Sequence, residues 1–343
     1  MSRPDHPTAE ALLALTSKLM ASAGRGEPRA LSRLAGGKNN QVYRVDTGME
    51  RPLVLKRYFI DARDQRDRLG AEWNFLSAAW SRGIRCIPEP LAYDATAHAA
   101  LYGFVEGRKL TAAEVASAHV DTAIDFVLAV NARPRAELAP ASEACFSLSE
   151  HIATVERRVA RLAALDPGAP HARDARLFVS SRLKPAWEAV KSRLAVEASQ
   201  AGLAMHDRLS PADCCLSPSD FGFHNALVDE AGRLSFLDFE YAGRDDPAKL
   251  VSDFFCQPDI AVPLAYHAAF IARLADGLML EAKGRARCRL LLDAYRIKWT
   301  CIILNDFLPL GDARRTFADE SDRATRCAAQ LAKADTRLSG LQA

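Results

Sequence analysis

The sequence predicts an α+β fold of two lobes, a small antiparallel β lobe at the N-terminus followed by a larger, mainly helical one. Three observations predict it. Between residues 30 and 58, short β-branched or apolar runs are separated by turns rich in Gly and Asn. Beyond Gly107 the apolar residues recur at helical spacing over long stretches. The chain has 343 residues, more than the roughly 150 expected of one domain. The lobes are expected to span 1–105 and 106–343, with the boundary near 103–108.

Thr8 followed by AEALLALTSKLMASAG reads as a capped amphipathic helix. Segments 30–34, 41–46 and 53–58 read as three antiparallel strands joined by hairpins. DARDQRDRLGAEWNFLSAAWSRG is expected to be a helix ending at Gly83. Pro88 and Pro90 break that pattern, and two further strands follow within 91–107. Helical patterns then cover 112–131, 147–165, 173–201, 261–282, 284–306 and 313–338, with a loop at 166–172. Within them, ALV-DEAG-RLSF reads as a short hairpin.

Composition excludes several classes. Net charge is +2, with 45 basic and 43 acidic residues interleaved, so neither a nucleic-acid nor a membrane partner is expected. No run approaches the ~18 apolar residues of a membrane span. The eight cysteines include no C-x-x-C pair and no zinc-finger spacing, so most of them read as small buried side chains in a reducing cytoplasm.

Chemistry concentrates in SPSDFGFHNALVDEAGRLSFLDFE, residues 217–240. Asp220 and Asn225 precede the short hairpin, and Asp238 follows it in an apolar LDF context. Phosphoryl transfer needs one carboxylate to receive a hydroxyl proton and hard oxygen ligands for magnesium. A loop bearing Asp220 and Asn225, and a strand end bearing Asp238, can converge those groups. The same residues also fit a helix cap, a turn and a strand end, and D-x-x-x-x-N alone is common.

These residues resemble the catalytic loop and metal-binding segment of the aminoglycoside phosphotransferase and choline kinase family, which has a protein-kinase-like fold. The similarity runs from about residue 28 to about residue 275. It implies an ATP-dependent kinase that phosphorylates a hydroxyl of a small metabolite such as a sugar, an amino alcohol or an aminoglycoside. In that role Asp220 is the base, and Asn225 and Asp238 hold Mg2+. Further nucleotide contacts are expected from Gly36, Gly37, Lys38, Asn39 and Asn40, from Lys56 with Glu72, and from the backbone at Tyr102–Phe104. A Walker P-loop is excluded, because Ser32 and Asn39 stand where it needs Gly and Ser or Thr. Glu240, Asp246, Lys249 and Asp253 are expected near the acceptor; each would equally serve as a salt bridge or cap.

Three departures from the family pattern stand out. Pro218-Ser219-Asp220 replaces His-Gly-Asp, His224 replaces the glycine before Asn225, and Lys249-Leu250 replaces a tyrosine and an aspartate. A lysine at that place suits a neutral or anionic acceptor better than a cationic one. The altered loop leaves a nucleotide-binding module without turnover as the alternative. The protein-kinase signatures HRD, DFG and APE are missing as a set. Acceptor identity, ATP against GTP, and oligomeric state are not encoded in these motifs.

Overall fold

A computed structural model describes residues 8–34, 40–48, 51–62, 64–132, 137–309 and 322–341. The N-terminal lobe is built on one antiparallel sheet of order β1-β2-β3-β5-β4, formed by Ala30–Arg33, Gln41–Asp46, Leu53–Arg57, Pro90–Asp94 (β4) and Ala99–Gly103 (β5). Side chains alternate across it. Leu53, Leu55, Ala99 and Leu101 face helix α1 (Ala9–Ser22), where Leu12, Leu19 and Met20 close a small core. Val54, Ala100 and Tyr102 face the opposite way, toward α2 (Arg68–Ser81) and the main core. Lys56 lies two residues beyond Val54, so it points to the α2 side.

Helix α2 begins seven residues later than the sequence pattern suggested. Asp67 caps it by accepting from Gly70 N at 2.8 Å, and Asp64, ahead of the cap, gathers Arg66 and Arg68. A charged turn therefore occupies the segment that reads as an amphipathic first turn.

The second lobe contains α3 (Ser117–Val130), α4 (Leu148–Arg161), α5 (Ala172–Phe178) and α6 (Lys184–Gln200), the last two joined through a wide π turn. Two small antiparallel pairs follow. Strand β6 (Cys215–Ser217) pairs with β9 (Gly243–Asp245), and β7 (Ala226–Val228) pairs with β8 (Leu234–Phe236) across the expected hairpin. Helices α7 (Pro247–Cys256), α8 (His267–Leu278), α9 (Ala282–Leu290), α10 (Leu292–Ile303) and α11 (Arg323–Ser339) complete it. The expected helix over 284–306 is divided between α9 and α10, and 310–321 lies outside the described residues.

Phenylalanines fix the segment that carries the polar motif. Phe221 and Phe223 flank Gly222, and Phe236 and Phe239 flank Leu237 and Asp238; all four are buried. Phe239 stacks on Phe75 of α2 at 4.7 Å, Phe236 on Phe126 of α3 at 4.7 Å, and Phe221 on Phe254 of α7 at 5.3 Å. Aromatic anchors of this size hold the intervening polar residues to a narrow range of positions. All eight cysteines are free thiols, and all but Cys86 are buried.

Candidate active site

Lys56 connects the two halves of the site. Its Nζ is 2.6 Å from Glu72 Oε2 and 2.6 Å from Asp238 Oδ1. Glu72 also accepts from Tyr58 Oη at 2.8 Å and, through Oε1, from Phe239 N at 3.3 Å. Burial works against the Lys56 ammonium, but Asp238 and Glu72 outweigh it and hold its pKa well above the ordinary value. Burial likewise opposes ionisation of Asp238, and Lys56 reverses that effect, so its pKa is lowered. Glu72 moves up, chiefly through burial.

Backbone strain gathers at the same place. Ser219, Asp220 and Asp238 have φ of 47°, 49° and 65°. Left-handed non-glycine residues cost about 1 kcal/mol or more each and persist where the surroundings enforce them. Here Ser219 N donates to Ser217 Oγ at 3.2 Å, and Asn225 Nδ2 donates to the Asp220 carbonyl at 3.1 Å. Leu237 N donates to the Asn225 carbonyl at 2.8 Å, tying the Asp220 loop to the Asp238 segment.

The donor set suits magnesium carried by a nucleotide. Asn225 uses its amide nitrogen on Asp220, which leaves Oδ1 without a partner among the described residues. Asp238 engages Lys56 through Oδ1, leaving Oδ2. No group of three or more His, Cys, Asp and Glu side chains converges as a metal cage among the described residues. Magnesium needs none, because phosphate and water supply most of its ligands.

Gly36, Gly37, Lys38 and Asn39 lie outside the described residues. Asn40 is buried and bridges the lobes: its Nδ2 donates to Glu240 Oε2 at 2.6 Å, and its Oδ1 accepts from Phe59 N at 3.1 Å. Tyr102 points its ring into the core, with its hydroxyl 2.7 Å from Tyr58 Oη. Gly103 N and Phe104 N already donate to Glu89 O and Pro52 O, at 2.9 and 3.3 Å, so the expected amide donors there are engaged within the lobe. The Phe104 ring stacks under Arg44.

The four residues expected at the acceptor are buried and held by protein partners. Glu240 takes Asn40 and lies 3.5 Å from Arg68 Nε. Asp246 caps α7 by accepting from Ala248 N at 2.8 Å and also engages His151 and Arg287. Lys249 pairs with Asp245. Asp253 accepts from Lys298 at 2.7 and 2.9 Å and from Trp299 Nε1 at 2.7 Å. Each therefore has a structural partner within the wall. His151, Lys298 and Trp299 carried no signal in the sequence, because their partners lie 95, 45 and 46 positions away.

His224, singled out as a departure, stands 3.3 Å from Asp220 Oδ1 through Nε2. Gly222 makes room for it, since a Cβ there would sit 2.9 Å from His224 Nδ1. Lys109, which sequence reasoning passed over, donates to the His224 carbonyl at 2.5 Å. Its position directly after the segment linking the lobes was the available clue.

With this geometry in place, the family model described as the phosphotransferase enzyme family matches residues 30–291. The chain belongs to the phosphotransferase enzyme family. Among curated proteins none matches the chain. Solved structures share the fold at low identity. The choline kinase of Streptococcus pneumoniae is 15% identical with TM-score 0.59, covering 96% of this chain and 99% of that one. The choline kinase of Cryptosporidium parvum is 12% identical with TM-score 0.58, covering 97% of each. A spectinomycin phosphotransferase, solved with ADP and spectinomycin, is 12% identical with TM-score 0.57, covering 96% and 99%. The bilobal kinase-like fold expected from the sequence is therefore the fold of this family member.

Proposed function

We propose that this phosphotransferase moves the γ-phosphoryl group of ATP to a hydroxyl of a small molecule. The observation that carries the reading is the meeting of Lys56, Glu72 and Asp238 beside the strained loop of Asp220 and Asn225. In this reading Lys56, held by Glu72, contacts the nucleotide phosphates. Asn225 and Asp238 would hold magnesium, which neutralises phosphate charge. Asp220 orients the acceptor hydroxyl and takes its proton while the new O–P bond forms and the bond to the ADP oxygen breaks. Residues 1–105 then form the nucleotide lobe and 106–343 the acceptor lobe. In support, Arg108, just past the boundary, already pairs with Val228 inside the second lobe. The ADP-bound spectinomycin phosphotransferase and an AMP-bound choline kinase of the same fold support a nucleotide ligand.

The test is ADP release from Mg·ATP in the presence of pooled hydroxyl compounds, with Asp220→Ala as control. Release that requires a pool and vanishes in the variant supports the kinase. Stabilisation by Mg·ATP with no release from any pool would instead favour a nucleotide-binding module without turnover.

A further inference from the structure

The run from Phe236 to Tyr241 belongs to the second lobe by sequence, yet its contacts reach into the first. Phe236 N donates to the Cys86 carbonyl at 2.8 Å. Asp238 meets Lys56. Phe239 stacks on Phe75 of α2, and its N donates to Glu72 Oε1 at 3.3 Å. Glu240 Oε2 accepts from Asn40 Nδ2 at 2.6 Å and stands 3.5 Å from Arg68 Nε. The Tyr241 ring lies 5.2 Å from the Arg66 guanidinium and 5.7 Å from that of Arg68. The chain on both sides of Asp238 is therefore attached to the nucleotide lobe.

Glu240 makes the most deeply buried of these polar contacts. Its side chain and that of Arg68 are each 1% exposed. A buried carboxylate persists only where partners are held for it, and here both partners are fixed in turn. Asn40 Oδ1 accepts from Phe59 N at 3.1 Å. Arg68 donates to the Phe59 carbonyl at 3.0 Å and to Asp64 Oδ2 at 2.6 Å. Asn40 leads into β2, where Val42 pairs with Lys56 of β3. Arg68 and Glu72 are four residues apart, on one face of α2. That face carries two attachments: Glu72 meets Lys56 and Phe239, and Arg68 meets Glu240. Burial works against the Lys56 ammonium, and Glu240 joins Asp238 and Glu72 in outweighing it.

We propose that Glu240 is a positioning residue for the nucleotide: by holding Asn40 and Arg68 it fixes β2 and α2 against the Asp238 segment, and so sets the Lys56–Glu72 pair relative to Asp238. The inference rests on the phosphotransfer reading, and it gives Glu240 a role on the nucleotide side in place of the acceptor contact expected from the sequence.

Two variants test it. Glu240→Gln keeps the shape and an oxygen for Asn40 but removes the charge that faces Arg68. Asn40→Ala removes the other partner. Calorimetry gives the Kd of Mg·ATP, and the hydroxyl pool that releases ADP gives the acceptor KM. Each variant should raise that Kd about ten-fold and leave the acceptor KM within about two-fold of the wild type. Because both residues act through one contact, the double variant should lose less than the product of the two single effects. A Kd within about two-fold of the wild type overturns the inference. With a raised acceptor KM, Glu240 is then an acceptor contact; with only a lowered melting temperature, the pair is structural. An acceptor KM that rises in step with the Kd overturns it as well. Where Asn40→Ala does not fold, the isosteric Glu240→Gln decides alone. If no pool releases ADP, transfer is what fails, and the Kd comparison still decides the inference. A wild type that binds no Mg·ATP sinks both.

Discussion

Lys56 touches carboxylates from both lobes, and its environment keeps it charged. Replacing it with Met removes the charge but keeps the stem, so Mg·ATP should cease to raise the melting temperature. Asp220 has a different task. Asp220→Asn keeps the shape of the strained loop and removes the proposed proton acceptor, and kcat should fall by about 100- to 10,000-fold. Mg·ATP stabilisation should survive, which a thermal shift on the same samples reads. A third prediction concerns Lys298. Changing it to Met strands the Asp253 carboxylate, and urea unfolding should show a loss of about 3–5 kcal/mol. The pairing of Lys56 with Glu72 was legible because the short segments that carry them resemble the family's motifs. The partners of Asp253 and Asp246 were not, because no local pattern tells which distant side chain closes an ion pair.

Helix α7 shows the same difficulty at the next scale. All ten of its residues are buried, including Lys249, Ser252 and Asp253. Its charged groups are matched from other elements: Asp245 pairs with Lys249, and Lys298 and Trp299 hold Asp253. Its start is fixed by Asp246, which His151 of α4 and Arg287 of α9 hold in place. Burial would push the Asp246 carboxyl up, but His151 and Arg287 bring it down to about 2, and His151 itself is raised from 6.5 to about 9. The His151 contribution is complete below pH 6.5 and is lost as pH rises through 9; the Asp246 contribution is complete above pH 3.8 and is lost as pH falls through 2. Melting temperature should therefore drop between pH 6.5 and 9, through a term on the order of 3 kcal/mol. In His151→Gln that decline should be shallower. Helix existence was legible from periodicity. The late start of α2 was not, because Asp67 makes a better cap than the earlier acidic residues and the charged turn before it mimics helical spacing.

Across the whole molecule, the change from strand to helix periodicity was enough to read the fold class. The closure of the two lobes was not readable, since it depends on Asn40, Arg68 and Glu240 meeting 172–200 residues apart in sequence. Seven buried thiols and no disulfide lead to a simple expectation: adding or omitting reducing agent should leave the melting temperature unchanged in a freshly prepared sample. A shift would mean that cross-links form that this packing does not contain.

The contact between Lys56 and Asp238 has a further consequence, for order of arrival. A bare divalent ion approaching Asp238 meets a carboxylate that already has a counterion. On the proposed reading a nucleotide would bring its own phosphates for Lys56, and so would release the aspartate as the ion arrives with it. On the proposed reading the site would act as a coincidence detector, taking the ion only together with the nucleotide. Titrating magnesium without nucleotide should produce almost no heat, whereas the pair added together should bind as a unit.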